Sequence, residues 1–537
     1  MKKSRKIMFN EDAAHHFGEY ACAHKMPTPE LEKEFIYQYK DTQITDYLIN
    51  LNYMLSLAPS KVMMSYAEKH YQKVENGKDV DYSDNIYYKC FIENGYDVFA
   101  HWIQLLREIN IRPWLSFRMN DCHDSFADQS FMLDDYFHEH KELRRVSHHK
   151  PTEYYDNCFD FGKKPVRDKM YNYIQECLER YDVDGIDLDF MREQFCFSIG
   201  GEYAGRGVMI NYIREIKELV DRFAKIRNKN IEISIRIPQD PTDCFYEGFD
   251  VVTMAKEKLI DVIVPSPRWC PTDNDLPIEF WKNILSPYNV ELAAGLELIL
   301  QTCTGGELFW LQTHETAMAA AYQYLSAGAD CIYFFNFMRT NATDFNDPSN
   351  EVMYQDLFKW DNYQHLFRNA GDKESSQKCI RRHIPTFHDT VPAWRERYKP
   401  FPAVCNDPNK YLQVRARTGN ILPTDKVKIV LGCSYNPENS YKDTTEMKDI
   451  YAYKTKLPID ETPLPLDNFE VYINSNKIIC SSTEDIRPFF TRKKGYVFDI
   501  DDNSIFEQVN MIEIAVKNNG LPFNIDFLEI RVIPEKA

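Results

Sequence analysis

The run DGIDLDFMRE, Asp184 to Glu193, spaces its carboxylates in a way that suits proton transfer. Side chains alternate along a strand, so Ile186, Leu188 and Phe190 share one face and Asp187 and Asp189 the other. With the apolar set packed on helices, both carboxylates point into a barrel, about 6–7 Å apart. Like charges held together shift each other's pKa, which lets one site hold an acid and a base. The competing reading is that one aspartate only holds a barrel arginine. Further on, VELAAGLEL puts Glu297 at a strand end, with small Ala293 and Gly295 before it leaving room for a ligand. A carboxylate across the mouth from Asp189 is what glycoside hydrolysis requires. One group protonates the leaving oxygen, and the other attacks the anomeric carbon or activates water.

Polar residues recur at the ends of the other expected strands. Asn10 and Asp12 end the first, and Asn50 and Asn52 the second. Ser116, Arg118 and Asn120 alternate inward on the third, with Asp121 and His123 just beyond. Ser234 and Arg236 line the fifth, Ser266 and Arg268 follow the sixth, and Asn336 sits in the eighth. Each alone reads equally well as a satisfied core group. Together they describe a mouth rich in donors and acceptors, as a polyhydroxylated ligand wants. Trp269 is the preferred stacking platform for a sugar face, with Trp310 and Tyr136 behind it. Arg118, Arg192, Arg236 and Arg268 would hold carboxylates ionised, and their number suggests an acidic sugar as a secondary reading. Asp12, His15 and His16, and Asp121, His123 and Asp124, supply metal-ligand types. No HxH follows the first strand and no HExxH occurs, so neither a catalytic metal nor any other cofactor is expected.

Positioning these groups requires a scaffold, and the pattern up to about residue 375 supplies one. Short apolar runs alternate with longer amphipathic stretches, as in βα units. Eight strands are expected: Lys6 to Asn10, Thr45 to Asn52, Pro113 to Asn120, Gly185 to Phe190, Ile231 to Ile237, Ile260 to Pro265, Val290 to Glu297, and Cys331 to Phe337. Helices are expected over Pro165 to Tyr181, Val208 to Ile226 and Thr313 to Leu325. This predicts an α/β fold, a (β/α)₈ TIM barrel over 1–375. A doubly wound open sheet is the alternative, without a glycine-rich phosphate fingerprint to support it. Long loops over Ala58 to Gly95 and Asp121 to Lys164 would lie at the C-terminal, active-site face. A linker over 376–400 then leads to period-two runs such as KVKIVLG and FNIDFLEIRVI, an antiparallel β-sandwich over 401–537.

Bulk properties narrow the partners. The 537 residues exceed one hydrophobic core, and the net charge of −18 argues against nucleic acid and anionic membrane surfaces. The opening MKKSRKIMFNEDAAHHF has no apolar signal-peptide core, and no run is long enough for a membrane span. The 14 scattered cysteines suggest reduced thiols, hence a cytoplasmic location.

The Asp184–Asp189 run resembles the fourth-strand DGxDxDxE signature of family 18 chitinase-type glycosidases, with Met191 standing where that family has its catalytic glutamate. A broader likeness is to bacterial glycosidase-like barrel proteins described as family 10-like. It rests on FNEDAAHHF, DTQITDYLINLN, LSFRMND and DGIDLDFMRE and spans most of 1–340. The resemblance implies a TIM barrel with carbohydrate activity. The Asn-Glu pair that family 10 enzymes carry at the end of strand four is absent here, which leaves Asp189 or Glu193 as the acid. The expected function is therefore O-glycosyl hydrolysis, with Asp189 as general acid supported by Asp187 and Glu297 as nucleophile or base. Two other classes stay open: a carbohydrate-binding protein on a degenerate barrel, and a metal-dependent hydrolase.

Overall fold

The computed structural model describes residues 4–23, 25–67, 72–75, 78–81, 86–127, 130, 132–147, 150–151, 154–267, 271–302, 309–340, 356–386, 400–439, 462–486 and 494–535. Eight parallel strands close into a barrel: β1 (Ile7–Asp12), β2 (Ile44–Asn50), β3 (Arg112–Arg118), β4 (Gly185–Asp189), β5 (Glu232–Pro238), β6 (Val262–Ser266), β7 (Glu291–Leu296) and β8 (Cys331–Phe335). Each pairs with its sequence neighbours, and β8 closes on β1. The expected barrel is the fold observed. Between strands run α1 (Ala13–Cys22), α2 (Pro29–Tyr37), α3 (Val98–Glu108), α4 (Lys164–Arg180), α5 (Glu202–Arg227), α6 (Val251–Lys256), α7 (Ile278–Leu285) and α8 (His314–Ala327).

Local chemistry explains the element ends. Asp12 ends β1 and caps α1, its carboxylate accepting from the Ala14 N–H at 3.2 Å. Thr28 caps α2 ahead of Pro29, and Thr313 forms a capping box with Thr316 at the start of α8. α5 begins at Glu202, earlier than its apolar periodicity suggests, because GEYAGRG weakens the helical pattern there. Gly205 is nevertheless required: a Cβ on it would meet the Phe197 ring at 2.6 Å.

The interstrand register fixes what faces the barrel axis. Ser116 pairs with Asp187 and Asp187 with Ser234; one step on, Arg118 pairs with Asp189 and Asp189 with Arg236. Ile186, Leu188 and Phe190 alternate to the other face and are buried. At the opposite, N-terminal end of the strands, a buried charge network fills the interior. Arg5 donates to Glu232 at 2.6 Å, to Asp46 at 3.3 Å and to Glu291, while Arg112 bridges Asp46 at 2.5 Å and Glu232 at 2.8 Å.

Two antiparallel sheets form the C-terminal part. Their strands are β9 (Arg381–His383), β10 (Ala403–Cys405), β11 (Leu412–Arg417), β12 (Lys426–Tyr435), β13 (Phe469–Ile473), β14 (Asn476–Ile478), β15 (Ser482–Asp485), β16 (Lys494–Ile500), β17 (Val509–Val516) and β18 (Phe523–Ile533). One sheet runs β9-β18-β12-β16-β15 with β10 also on β18, and the other β11-β17-β13-β14. Val430, Phe498 and Leu528 of the first join Val471 and Ile514 of the second in one core. β9 lies in the stretch expected as a linker.

The chain divides into two compact units. One comprises 1–269, 279–295 and 333–344; the other comprises 270–278, 296–332 and 345–537. The cysteines whose side chains are described are buried thiols. Among the described residues, no helix is long and apolar enough to cross a membrane.

Candidate active site

Asp187 sits in the barrel interior, fully buried, and three hydroxyls converge on it. Ser234 donates at 2.5 Å, Ser116 at 2.9 Å and Tyr333 at 3.0 Å, while Asn10 donates to both Ser116 and Tyr333. Burial pushes the Asp187 carboxyl up to about 6, and the neighbouring Asp189 adds to the rise against the pull of the hydroxyls. One residue level nearer the strand ends, Asp189 receives Arg236 Nη1 at 3.1 Å on both oxygens, and the Met191 N–H at 2.9 Å. Arg236 is itself fixed by Ser266 Oγ at 3.2 Å and by the Phe335 ring, whose centroid lies 3.9 Å away.

This arrangement gives a pH prediction. Asp187 titrates near 6 in the fold against 3.8 in an unfolded chain, so the folded state binds the proton more tightly. Its ionisation therefore destabilises the fold progressively as pH rises from about 4 to about 6, by about 3 kcal/mol in all. Asp189 and Tyr333 are the titratable groups acting on it, and Arg236 pairs with Asp189 and lies 5.8 Å from the Tyr333 ring centroid. Wild type should lose that stability relative to Asp187→Asn between about pH 4 and about pH 7, read as the difference in denaturant unfolding curves. Parallel curves across the window would refute the shift.

A second polar group joins the first turns beyond β1, β3 and β4. Arg118 donates to Asp12 at 2.7 Å, approaches Asp121 at 3.5 Å and stacks over Tyr53, 4.5 Å from its centroid. Tyr53 donates to Asp12 at 3.1 Å. His123 Nδ1 lies 2.6 Å from Asp121, and Arg192 reaches both His123 and Asp121. Burial pushes the Asp12 carboxyl up, but Arg118 and His15 outweigh it and hold the group below its ordinary value. Beside this group opens a hollow of about 430 Å³, open solvent included, walled by Met54, Met63, Tyr136, Phe137 and Phe159. Tyr136 thus faces a cavity, with Lys169 Nζ 4.1 Å from its ring centroid.

Other candidates take different positions. Asn120 gives its amide to the Phe159 and Phe195 carbonyls and accepts from the Phe159 N–H, a clip that holds loop backbone. Asn52 likewise donates to the Tyr53 and Arg118 carbonyls. His15 lies 3.7 Å from Glu19 on α1. His16 is enclosed by aromatic rings and bound to Glu32 at 3.0 Å, an arrangement that packs α1 on α2. Asn336 follows β8 with φ of 65°, the left-handed conformation asparagine tolerates. Glu193 is buried beyond β4, with the Tyr154 hydroxyl 3.4 Å from it. Glu297, in the second compact unit, is fully buried, and its backbone N–H and C=O are bonded to the Thr272 hydroxyl at 2.9 and 2.6 Å. Arg268, Trp269 and the Trp310 side chain lie outside the described residues.

Of the four arginines behind the acidic-sugar reading, three are described and Arg268 is not. Arg118, Arg192 and Arg236 face Asp12, Asp121 and Asp189, so these described charges balance. Tyr333 and Tyr53 were not singled out by sequence. The signal for Tyr333 was its parity: within CIYFFNF it falls on the inward face, where a hydroxyl meets Asp187.

No known family model matches the sequence, and no curated protein matches it. Solved structures similar to this chain include the cycloisomaltooligosaccharide glucanotransferase of Paenibacillus sp., at 9% identity over 97% of this chain and 57% of that one, with a TM-score of 0.33. The α-L-fucosidase isoenzyme 1 of Paenibacillus thiaminolyticus is 10% identical over 96% of each chain, with a TM-score of 0.32. Catalytic domain 2 of the Group II chitinase of Ostrinia furnacalis is 11% identical over 68% of this chain and 96% of that one, with a TM-score of 0.37. At this level of similarity they assign neither activity nor substrate.

Proposed function

We propose that this chain hydrolyses O-glycosidic bonds of an oligo- or polysaccharide, with the Asp187–Asp189 pair as its proton-transfer centre. The supporting observation is the register itself: two rows of polar side chains, Ser116-Asp187-Ser234 and Arg118-Asp189-Arg236, cross the barrel interior where apolar packing would serve stability better. Asp189, at the strand end, acts as the acid toward the leaving oxygen. Asp187 beneath it takes up or releases a proton near pH 6. Glu297, expected from the sequence as nucleophile or base, is tested by its own substitution. The balanced Arg118, Arg192 and Arg236 charges favour a neutral sugar over an acidic one.

One observation favours a second reading, a carbohydrate-binding barrel without turnover. Asp189 is fully buried with both oxygens engaged by Arg236, as a counter-ion would be, and Met191 replaces the glutamate of the family 18 pattern. Incubating the purified protein with a panel of neutral and uronic-acid oligosaccharides and aryl glycosides separates the two. Release of reducing ends from a neutral member is expected. Saturable binding without cleavage would leave the binding reading, and neither binding nor cleavage across the panel would overturn both.

A further inference from the structure

We propose that Cys122, Cys158 and Glu193 form a metal site for a divalent transition-metal ion, zinc by preference, which ties the segments following β3 and β4 together. The three ligand atoms, two sulfurs and a carboxylate oxygen, all lie within 4.8 Å of one another, and all three residues are buried. They come from separate stretches: Cys122 just after β3, Cys158 near the end of the same long loop, and Glu193 just after β4. The Cys122 and Cys158 Sγ atoms are 3.3 Å apart. A tetrahedral zinc holding two sulfurs at about 2.3 Å sets them about 3.8 Å apart, so about half an ångström of movement brings the pair to that spacing, with a fourth position left for a solvent ligand.

The donor set selects the ion. Two thiolates and a carboxylate match zinc, while calcium and magnesium want oxygen ligands alone. Binding converts each thiol to thiolate with release of its proton, and the three anionic ligands then neutralise the dication with one charge in excess. Arg145, close enough to act electrostatically on Cys158, is shared with Asp156 at 3.5 Å and Glu202 at 3.8 Å and so offsets that charge only in part. The surroundings are already shaped to hold the ligands. The Tyr154 hydroxyl points at Glu193, while the Tyr154 carbonyl accepts from the Cys122 thiol at 3.9 Å, a bond given up when the proton leaves. Asn120, clipped to the Phe159 and Phe195 backbone, braces the neighbours of Cys158 and the segment beyond Glu193. In this assignment Glu193 is a ligand, and the acid role considered for it in the sequence passes to Asp189. The metal secures the loops that carry Asp121 and His123; it is independent of whether the barrel cleaves sugars.

The test reads metal directly. Full-length protein purified without chelator should carry about one zinc per chain by elemental analysis. Chelator-stripped protein titrated with cobalt(II) should develop the thiolate-to-cobalt charge-transfer band and the visible bands of a tetrahedral ion. Cys122→Ser and Cys158→Ser should each lose the charge-transfer intensity in part and the tight binding altogether; Glu193→Gln should keep the band and bind more weakly. Should a variant fail to fold, alkylation mass spectrometry on wild type decides: zinc must protect Cys122 and Cys158 while leaving the other thiols unchanged. Folded wild type that takes up neither ion, a Cys122→Ser variant that binds as wild type does, or an intact mass short of two hydrogens from a Cys122–Cys158 disulfide would each overturn the site.

Discussion

Asp189→Asn is expected to lower turnover by about 10²–10⁴-fold on whichever glycan proves to be the substrate, while the protein still binds that glycan. The substitution preserves shape and one acceptor oxygen, so Arg236, the Met191 N–H and the strand register stay in place. What it removes is the ionisable carboxyl, which as the carboxylate neutralises Arg236 and only on protonation serves as the acid. Burst and steady-state kinetics separate the two effects: loss of proton transfer lowers kcat, whereas a misplaced Arg236 raises KM. Wild-type turnover in the variant would show that Asp189 serves Arg236 alone. Glu297→Gln, measured beside it, reports on the second carboxylate, and similar losses in both variants fit the two-carboxylate chemistry of glycoside hydrolysis.

Removing the Arg5 side chain should destabilise the fold by about 3–5 kcal/mol, the usual consequence of breaking a buried ion network from one side. Arg5 faces Asp46, Glu232 and Glu291 and lies 5.3 Å from the Trp114 ring centroid. Without it, Arg112 stays on Asp46 and Glu232 and the Thr45 hydroxyl on Asp46, with one cation fewer among the carboxylates. Arg5→Met keeps most of the volume and removes the charge, so the loss in denaturant unfolding free energy reports electrostatics more than packing. Adding Glu232→Gln should recover part of it, because one stranded carboxylate goes with it. A loss under about 1 kcal/mol would place this network with ordinary surface ion pairs.

The fold was largely legible because barrel strands announce themselves twice, by apolar runs and by the helices between them. CIYFFNF and IDVIVP gave β8 and β6 to within a residue or two. The inward parity of Asp187 and Asp189 followed from strand alternation, a local property. Pairing did not. That Arg236 would sit on Asp189, or Arg118 on Asp12, depends on register between strands distant in sequence, which no local pattern encodes. The roles of Asn52 and Asn120 were invisible for the same reason. An asparagine that clips loop backbone and one that reaches a ligand look identical until the loop's path is known. Asn336 shows a third limit: the chain turns left-handed just past β8, so strand alternation no longer sets where its side chain points.

The interleaving of the two compact units carries an evolutionary consequence. The chain passes from one to the other after residues 269, 278, 295, 332 and 344, so the second unit owns a stretch that includes α8 and the start of β8. Tyr322 of α8 donates to the Asn420 carbonyl, and Gln323 meets His383, joining that helix to the C-terminal sheets within the same unit. Recombination that grafted the terminal sheets onto another gene would leave α8 behind without its partners. The two units are therefore expected to be gained or lost together among homologues.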